Sequence, residues 1–188
     1  MKVLIRKEEG YELALEGIGL SFNVDNMDRL VRVADKLAPK DAGHNKFLES
    51  MVVWLDIDAP RYWWSEFDTY RVGTTKQSES TMHTITHREL TPEDFEGTVF
   101  GPTLDMLNMA IRSYQHEEDK KRKDQLFREI KTNLPEGFLQ RRIVCTNYKV
   151  LKNMFVQRKR HRLQEWHTFI QQVEEQVEHP EFLTYVLT

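Results

Sequence analysis

The 188-residue chain is long enough to bury a core without staples and reads as one domain. Its 39% hydrophobic and 30% charged residues exclude a disordered chain, and its net charge of -3 argues against a globally basic nucleic-acid binder. The single cysteine, Cys145, excludes an internal disulfide, and no apolar run approaches the roughly 20 residues that span a bilayer, so a cytoplasmic protein with no membrane partner is expected.

In chain order, Lys2 to Arg6 reads as a strand, too soon broken by charge for a signal peptide. A turn at Glu9-Gly10 leads to a second short strand, Tyr11 to Leu15. Asn26 caps a helix through about Leu37, stopped before Pro39, and Asp41 to His44 is a loop. Leu48 to Ile57 is apolar and β-branched, which predicts a strand ended by Asp58-Ala59-Pro60. Residues 60–71 carry Tyr62, Trp63, Trp64, Phe67 and Tyr70 with an i, i+4 echo of a short helix.

Thr91-Pro92-Glu93-Asp94 is a helix opening, with proline and acids where the dipole favours them. A helix from Thr103 meets the charge run Glu117 to Asp124, a solvated face or a bend, and resumes at Leu126, Phe127 and Ile130. Leu134 to Gly137 breaks the pattern. Tyr148, Leu151, Met154, Phe155, Leu163, Trp166, Phe169, Ile170, Val173 and Val177 then predict one long helix ended by Pro180. The fold class is α+β, a mixed helical domain with a small antiparallel sheet.

Ala59 to His83 is the stretch richest in chemistry. Aromatic residues precede Asp68, Tyr70, Arg71, a Gly73-Thr74-Thr75 step and Ser78, Glu79, Ser80 and Thr81. Aromatic surface that excludes water, beside an arginine and hydroxyls, suits a flat phosphorylated ligand; a buried strand with a polar turn suits the same residues. Arg158 lies near the apolar stripe of the last helix, as an anion clamp or at the margin of a solvated basic face. His83 and His87 have metal-ligand spacing, but no third ligand is evident and Thr84 to Thr86 favours strand or loop, so no metal site is expected. Cys145, in the run Ile143-Val144-Cys145, reads as core, with catalytic use left open. No glycine-rich phosphate loop and no GxSxG elbow occurs.

Three segments together resemble the flavin-dependent thymidylate synthases. His44 with Phe47, Leu48 and Glu49 resembles that family's His-then-Phe-Glu-His entry. Ala59-Pro60, the aromatic run and Tyr70-Arg71 sit where the family has Ala-Pro and its Arg-His-Arg signature. Asn147, Lys149, Asn153, Arg158, Gln164 and Trp166 resemble its C-terminal helix pattern without a gap. Leu134-Pro135 keeps the matching distance and puts Lys131 at a nucleotide-binding arginine, and Ser21-Phe22 resembles an N-terminal Val-Ser-Phe step.

The resemblance implies a homotetramer with active sites at subunit interfaces. FAD would be reduced by NADPH, and a one-carbon unit from methylenetetrahydrofolate would go to C5 of a pyrimidine deoxynucleotide, dUMP or a variant. It implies Ser21, His44, Glu49, Tyr70, Arg71, Asn147, Lys149 and Asn153 at the flavin; Glu66, Lys131 and Arg158 at the nucleotide; and Arg71, Ser78, Glu79 and Ser80 at the reacting pyrimidine. The chain departs from the pattern where Thr69 and Tyr70 replace the signature's first arginine and histidine, Glu66 a glutamine, Glu79 a serine and Thr81 an arginine. A non-catalytic flavin- or nucleotide-binding protein that keeps the fold is the alternative. A nucleic-acid module using Lys120 to Lys123 and Arg158 to Arg162 lacks the interleaved aromatics that base stacking needs.

Overall fold

The computed structural model describes residues 1–41 and 43–184; Ala42, inside the predicted loop, lies outside them. One antiparallel sheet has the order β1-β2-β4-β3, with β1 Lys2–Glu9, β2 Val52–Pro60, β3 Thr75–Ser78 and β4 Leu139–Asn147. The helices are α1 Tyr11–Phe22, α2 Met27–Leu37, α3 Arg61–Phe67, α4 Thr81–Thr84, α5 Gly101–His116, α6 Lys120–Asn133, α7 Tyr148–Arg158 and α8 Gln164–Glu174. The expected α+β class with a small antiparallel sheet is the observed one.

The sheet is built around β2. Val53, Leu55, Ile57 and Ala59 are fully buried at a period of two and form its core face. Trp54 and Asp56 alternate with them on the other face. Asp56 accepts from Arg141 Nε (2.7 Å) and Nη2 (2.6 Å), a bidentate pair that, first by this hydrogen bond, holds its carboxyl below the usual carboxylate range. The partner strand β4 pairs with β2 from Val52–Asn147 to Pro60–Leu139 and with β3 on its other edge. Sequence reading took Ile143 to Cys145 for core without seeing a strand. Arg141 and Arg142 break the apolar alternation there, because each is neutralised by a carboxylate: Arg141 by Asp56 of β2, and Arg142 by Asp68 at the end of α3.

Three expectations are corrected. Tyr11 to Leu15 is the start of α1, not a strand: Ala14, Leu15, Ile18 and Gly19 are buried at helical spacing. Gly10 makes the tight entry with φ 94°, and a Cβ there would lie 2.3 Å from the Ser50 carbonyl oxygen. The strand expected from Leu48 begins at Val52, since Lys46–Glu49 forms a 3-10 turn. The long C-terminal helix is two helices. The basic run Lys159 to Arg162 sits in the break, where His161 N–H donates to the Arg158 carbonyl (2.9 Å) and Leu163 N–H to His161 Nδ1 (3.2 Å). A continuous helix would carry those cations around the apolar stripe; the break folds α8 back onto α3 instead.

Other expectations hold. Asn26 caps α2, accepting from Arg29 N–H at 3.0 Å. The Glu117 to Asp119 segment is a bend, where Glu117 accepts two backbone N–H bonds and Asp119 caps α6. The helix opening expected at Thr91 to Asp94, by contrast, leads into no α-helix: Pro92–Asp94 is a single 3-10 turn with a capping box from Thr91 and Asp94, and Phe95 is already extended.

The apolar residues form two clusters. The larger joins the core face of β2 to α1, α2, α3, α7 and α8, with Trp63, Trp64, Trp166, Phe67 and Phe169 at its centre. The smaller lies under α5 and α6 and contains Ile85, Leu90, Phe95, Leu107, Ile111, Ile130 and Leu134. The Asn108 amide pins it, accepting from Leu90 N–H (2.7 Å) and donating to the Leu90 carbonyl (2.8 Å).

Candidate functional site

A cavity of about 1000 Å³ opens between the turn after α3, one face of α7, the segment after α2 and α8. Gly73 sets the turn. With φ 68° and a would-be Cβ 3.0 Å from Asn147 Nδ2, a side chain there would be strained and would press on α7. The Thr146 hydroxyl donates to the Gly73 carbonyl at 3.1 Å and ties the turn to β4. Asn147 caps α7, accepting from Val150 N–H at 3.0 Å, which fixes where the cavity-lining Lys149 and Asn153, four residues apart on one face, come to lie.

The cavity therefore gathers Tyr70, Arg71, Lys149 and Asn153, four of the residues singled out in the sequence. Val72, Val150, Phe155, Val156, Ile170 and Leu183 give it apolar wall, and Lys152 and Lys159 add cations to Arg71 and Lys149. Asp41 and Glu174 are the carboxylates along it. Four cations against two carboxylates beside apolar surface suit an anionic ligand with a flat apolar part.

A second cluster sits at the other end of α7. Glu66 Oε2 accepts from Arg158 Nη1 (3.0 Å) and Trp166 Nε1 (2.9 Å), and His161 Nε2 lies 3.2 Å away. Arg158 Nε donates to the Tyr70 hydroxyl (2.9 Å), which donates to Gln157 Oε1 (2.9 Å). The guanidinium carbon also lies 4.8 Å from the Trp166 ring centre. Arg158, read as an anion clamp, is thus paired with a carboxylate of its own chain, and that carboxylate stands where the resembled family has a neutral glutamine.

The remaining singled-out residues are spread around these two places. Ser78 and Glu79 are exposed at the end of β3, where Glu79 N–H donates to the Arg141 carbonyl (2.9 Å), and Ser80 precedes α4. Lys131, half-buried on α6, donates to the Thr81 hydroxyl; burial, then Arg61, lowers its ammonium pKa. Two positions that the resemblance assigns to cations therefore meet as one lysine and one hydroxyl. Ser21, His44 and Glu49 are exposed and do not line the cavity.

Trp63, Trp64 and Phe67, taken from sequence as candidate pocket walls, are 0–1% exposed; Trp63 and Phe67 pack against Trp166 and Phe169, and Trp64 packs against Trp63 and Phe67. They are core, and only Tyr70 of that run reaches the cavity. No group of three or more histidine, cysteine or acidic side chains could hold a metal among the described residues. Cys145 is half-buried on β4, and burial raises its thiol pKa.

Sequence reading missed Asn45 and Lys152, both cavity-lining and buried, at 0% and 7% exposed. Lys152 carried a signal: it stands beside Leu151 and four residues after Tyr148, on the apolar stripe. Asn45 carried none, since nothing in a loop sequence distinguishes a buried amide from an exposed one. The half-buried Arg142, bonded to both Asp68 oxygens (3.0 and 3.1 Å) and stacked 4.3 Å over Trp64, was also missed.

No family model and no curated relative matches the sequence. Solved structures do. The chain superposes on flavin-dependent thymidylate synthase ThyX from Helicobacter pylori complexed with FAD and dUMP with a TM-score of 0.76, at 14% identity, over 98% of each chain. A second structure of that enzyme with FAD and dUMP gives 0.74, again at 14% identity, over 98% of this chain and 100% of the other. The arrangement is an α+β fold with one small antiparallel sheet and flanking helices. That fold is the one found in flavin-dependent thymidylate synthases.

Proposed function

We propose that the chain binds FAD in the cavity between the 69–73 turn and α7, and acts on a pyrimidine deoxynucleotide. The observation that carries this reading is that one cavity collects Tyr70, Arg71, Lys149 and Asn153 from two distant segments of the sequence. The donor set fits the cofactor: cations for a diphosphate, amides and hydroxyls for ring edges, and apolar wall for a flat ring. Both solved neighbours hold FAD and dUMP, which supports the same ligand class here.

Bound FAD would supply the redox chemistry between NADPH and a one-carbon unit from methylenetetrahydrofolate destined for C5 of the pyrimidine. The chain's own share is binding and orientation. Arg71, Lys149 and Asn153 would hold the cofactor, the cavity wall would exclude water, and Lys131 with Ser78, Glu79 and Ser80 would face the nucleotide. Ser21, His44, Glu49 and Asn147, away from the cavity in a single copy, would contribute from neighbouring subunits of a homotetramer.

A second reading, a flavin- or nucleotide-binding protein without turnover, is favoured by Glu66. It already supplies Arg158 with the negative charge that a nucleotide phosphate would bring. One titration separates the two. Protein incubated with FAD and freed of excess cofactor should stay yellow and bleach with NADPH; dUMP should perturb the flavin spectrum, and dUMP with methylenetetrahydrofolate should release folate product. Flavin binding with no response to dUMP selects the second reading. A preparation that takes up no flavin overturns both flavin readings.

A further inference from the structure

An antiparallel sheet covered on one side commonly carries polar residues on the other. The outer face of this sheet departs from that pattern. Directly opposite residues of neighbouring strands share a face, so the register gathers Leu4 of β1, Trp54 of β2, and Ile143 and Cys145 of β4 on the outside. Trp54 is 40% and Leu4 37% exposed, while Ile143 and Cys145 are half-buried. None of the four belongs to either apolar cluster, because the helices of the larger cluster pack on the Val53, Leu55 and Ile57 side. Asp56, set among them, has its charge masked by Arg141 and, at 3.5 Å, by Arg6. An open tryptophan in a central strand, with apolar neighbours across the sheet, is the kind of anchor that protein interfaces bury.

The charges beside this patch say what covers it. One row across the sheet reads Lys2, Asp58, Arg141 and Glu79, alternately positive and negative. Glu79 continues β3 opposite Arg141, donating its N–H to the Arg141 carbonyl at 2.9 Å. Lys2, Asp58 and Glu79 enter no ion pair among the described residues, and Arg141 spends only Nε and Nη2 on Asp56. Read from its other end, the row has every sign reversed. A two-fold axis along the strands, midway between β2 and β4, therefore lays β1 over β3 of a second copy and β2 over its β4. Lys2 then meets Glu79 of the second copy, Asp58 meets its Arg141, and Trp54 lies over its Cys145. The half-turn makes each contact twice. Sheets packed face to face keep their strands within about 30° of each other, which keeps these pairs within reach of long side chains. A uniformly acidic or basic partner would set half of the row against its own sign.

We propose that the outer sheet face is an isologous interface with a second copy of this chain, centred on Trp54 and held in register by Lys2, Asp58, Arg141 and Glu79. The interface does not rest on the flavin reading; in the homotetramer of that reading it is one of the two-fold contacts.

Light scattering and sedimentation over a dilution series read the assembly, and reaction of Cys145, the single thiol, with a disulfide reagent reads the face. Wild type should have the mass of two chains or a multiple of it, with Cys145 protected when associated and reactive on dilution. Trp54→Glu should halve the mass and leave Cys145 reactive throughout. Lys2→Glu should weaken association about tenfold or more, and adding Glu79→Lys should recover most of the loss, because the exchanged pair keeps opposite signs. Folding is checked by circular dichroism; should Trp54→Glu not fold, the Lys2 and Glu79 variants, both at exposed positions, carry the test. A monomeric wild type, a folded Trp54→Glu chain of unchanged mass, or a double exchange no better than Lys2→Glu overturns the interface and leaves the flavin reading standing. Association that depends on Trp54 and on the exchanged pair, in a chain that takes up no flavin, supports the interface and overturns that reading.

Discussion

The two ends of α7 hold positive charge in opposite ways. At its C-terminal end Arg158 meets the Glu66 carboxylate, the Tyr70 hydroxyl and the face of Trp166, so its charge is neutralised within the chain. At its N-terminal end Lys149 and Lys152 meet only amide and carbonyl oxygens, which satisfy a donor and leave the charge available. A cation near a cavity is therefore not in itself an anion site; the formal charge of its partner decides.

The largest effect should come from removing the closing carboxylate. Glu66→Ala leaves Arg158, His161 and Trp166 Nε1 without their shared acceptor and should cost about 2 kcal/mol in urea denaturation. A change below about 0.5 kcal/mol would mean that the pair does not close Arg158 at all. Glu66→Gln keeps an acceptor for Trp166 but gives up the charge. It should cost about 1 kcal/mol and raise dUMP affinity several-fold by calorimetry, making the two ends of the helix more alike.

Acid should then distinguish carboxylate-held cations from carbonyl-held ones. Asp56, depressed chiefly by its hydrogen bond from Arg141, contributes stability that is present above its ordinary value near about pH 4. That contribution is lost as pH falls through the depressed folded value. Asp56→Asn should flatten this acid limb of the urea midpoint, and an unaltered limb would show that the pair is not its source.

The smallest effect belongs to Lys152. Its folded pKa is lowered, so the folded state binds fewer protons than the unfolded one, and stability rises as pH climbs from the depressed value towards about 10.4. Lys152→Met should remove part of that rise, and near neutral pH should alter stability by less than about 1 kcal/mol because a buried charge goes with the lost hydrogen bond. An identical alkaline profile in the variant would place Lys152 in an ordinary hydrated setting.

Legibility in the sequence followed local chemistry. The Asn26 cap, the Gly10 turn and the β-branched run of β2 were readable because each depends on residues close by. Tyr11 to Leu15 was misread because five residues cannot separate a period of 2 from 3.6, and the deciding Ile18 and Gly19 lie beyond them. β4 was missed because its arginines look solvent-exposed until Asp56 and Asp68 are brought opposite them from elsewhere in the chain. For the site, Tyr70, Arg71, Lys149 and Asn153 carried their own signal and came together in one cavity. The engagement of Arg158 by Glu66, 92 residues away, was invisible for the reason that hid β4.

The sheet order also bears on how fast the chain reaches this state. Gln140 on β4 donates to the Glu79 carbonyl just past β3, 61 residues away, and all of α4, α5 and α6 lies between them. Zipping β3 onto β4 therefore requires a long closure whose entropic cost precedes its reward. The α5–α6 hairpin is closed by its own bend and pinned by Asn108 to Leu90, 18 residues away, so it can condense first and shorten that excursion. Refolding rate should accordingly respond to substitutions in the hairpin that leave the cavity untouched, with Asn108→Ala slowing the appearance of cavity-dependent signals more than it speeds unfolding.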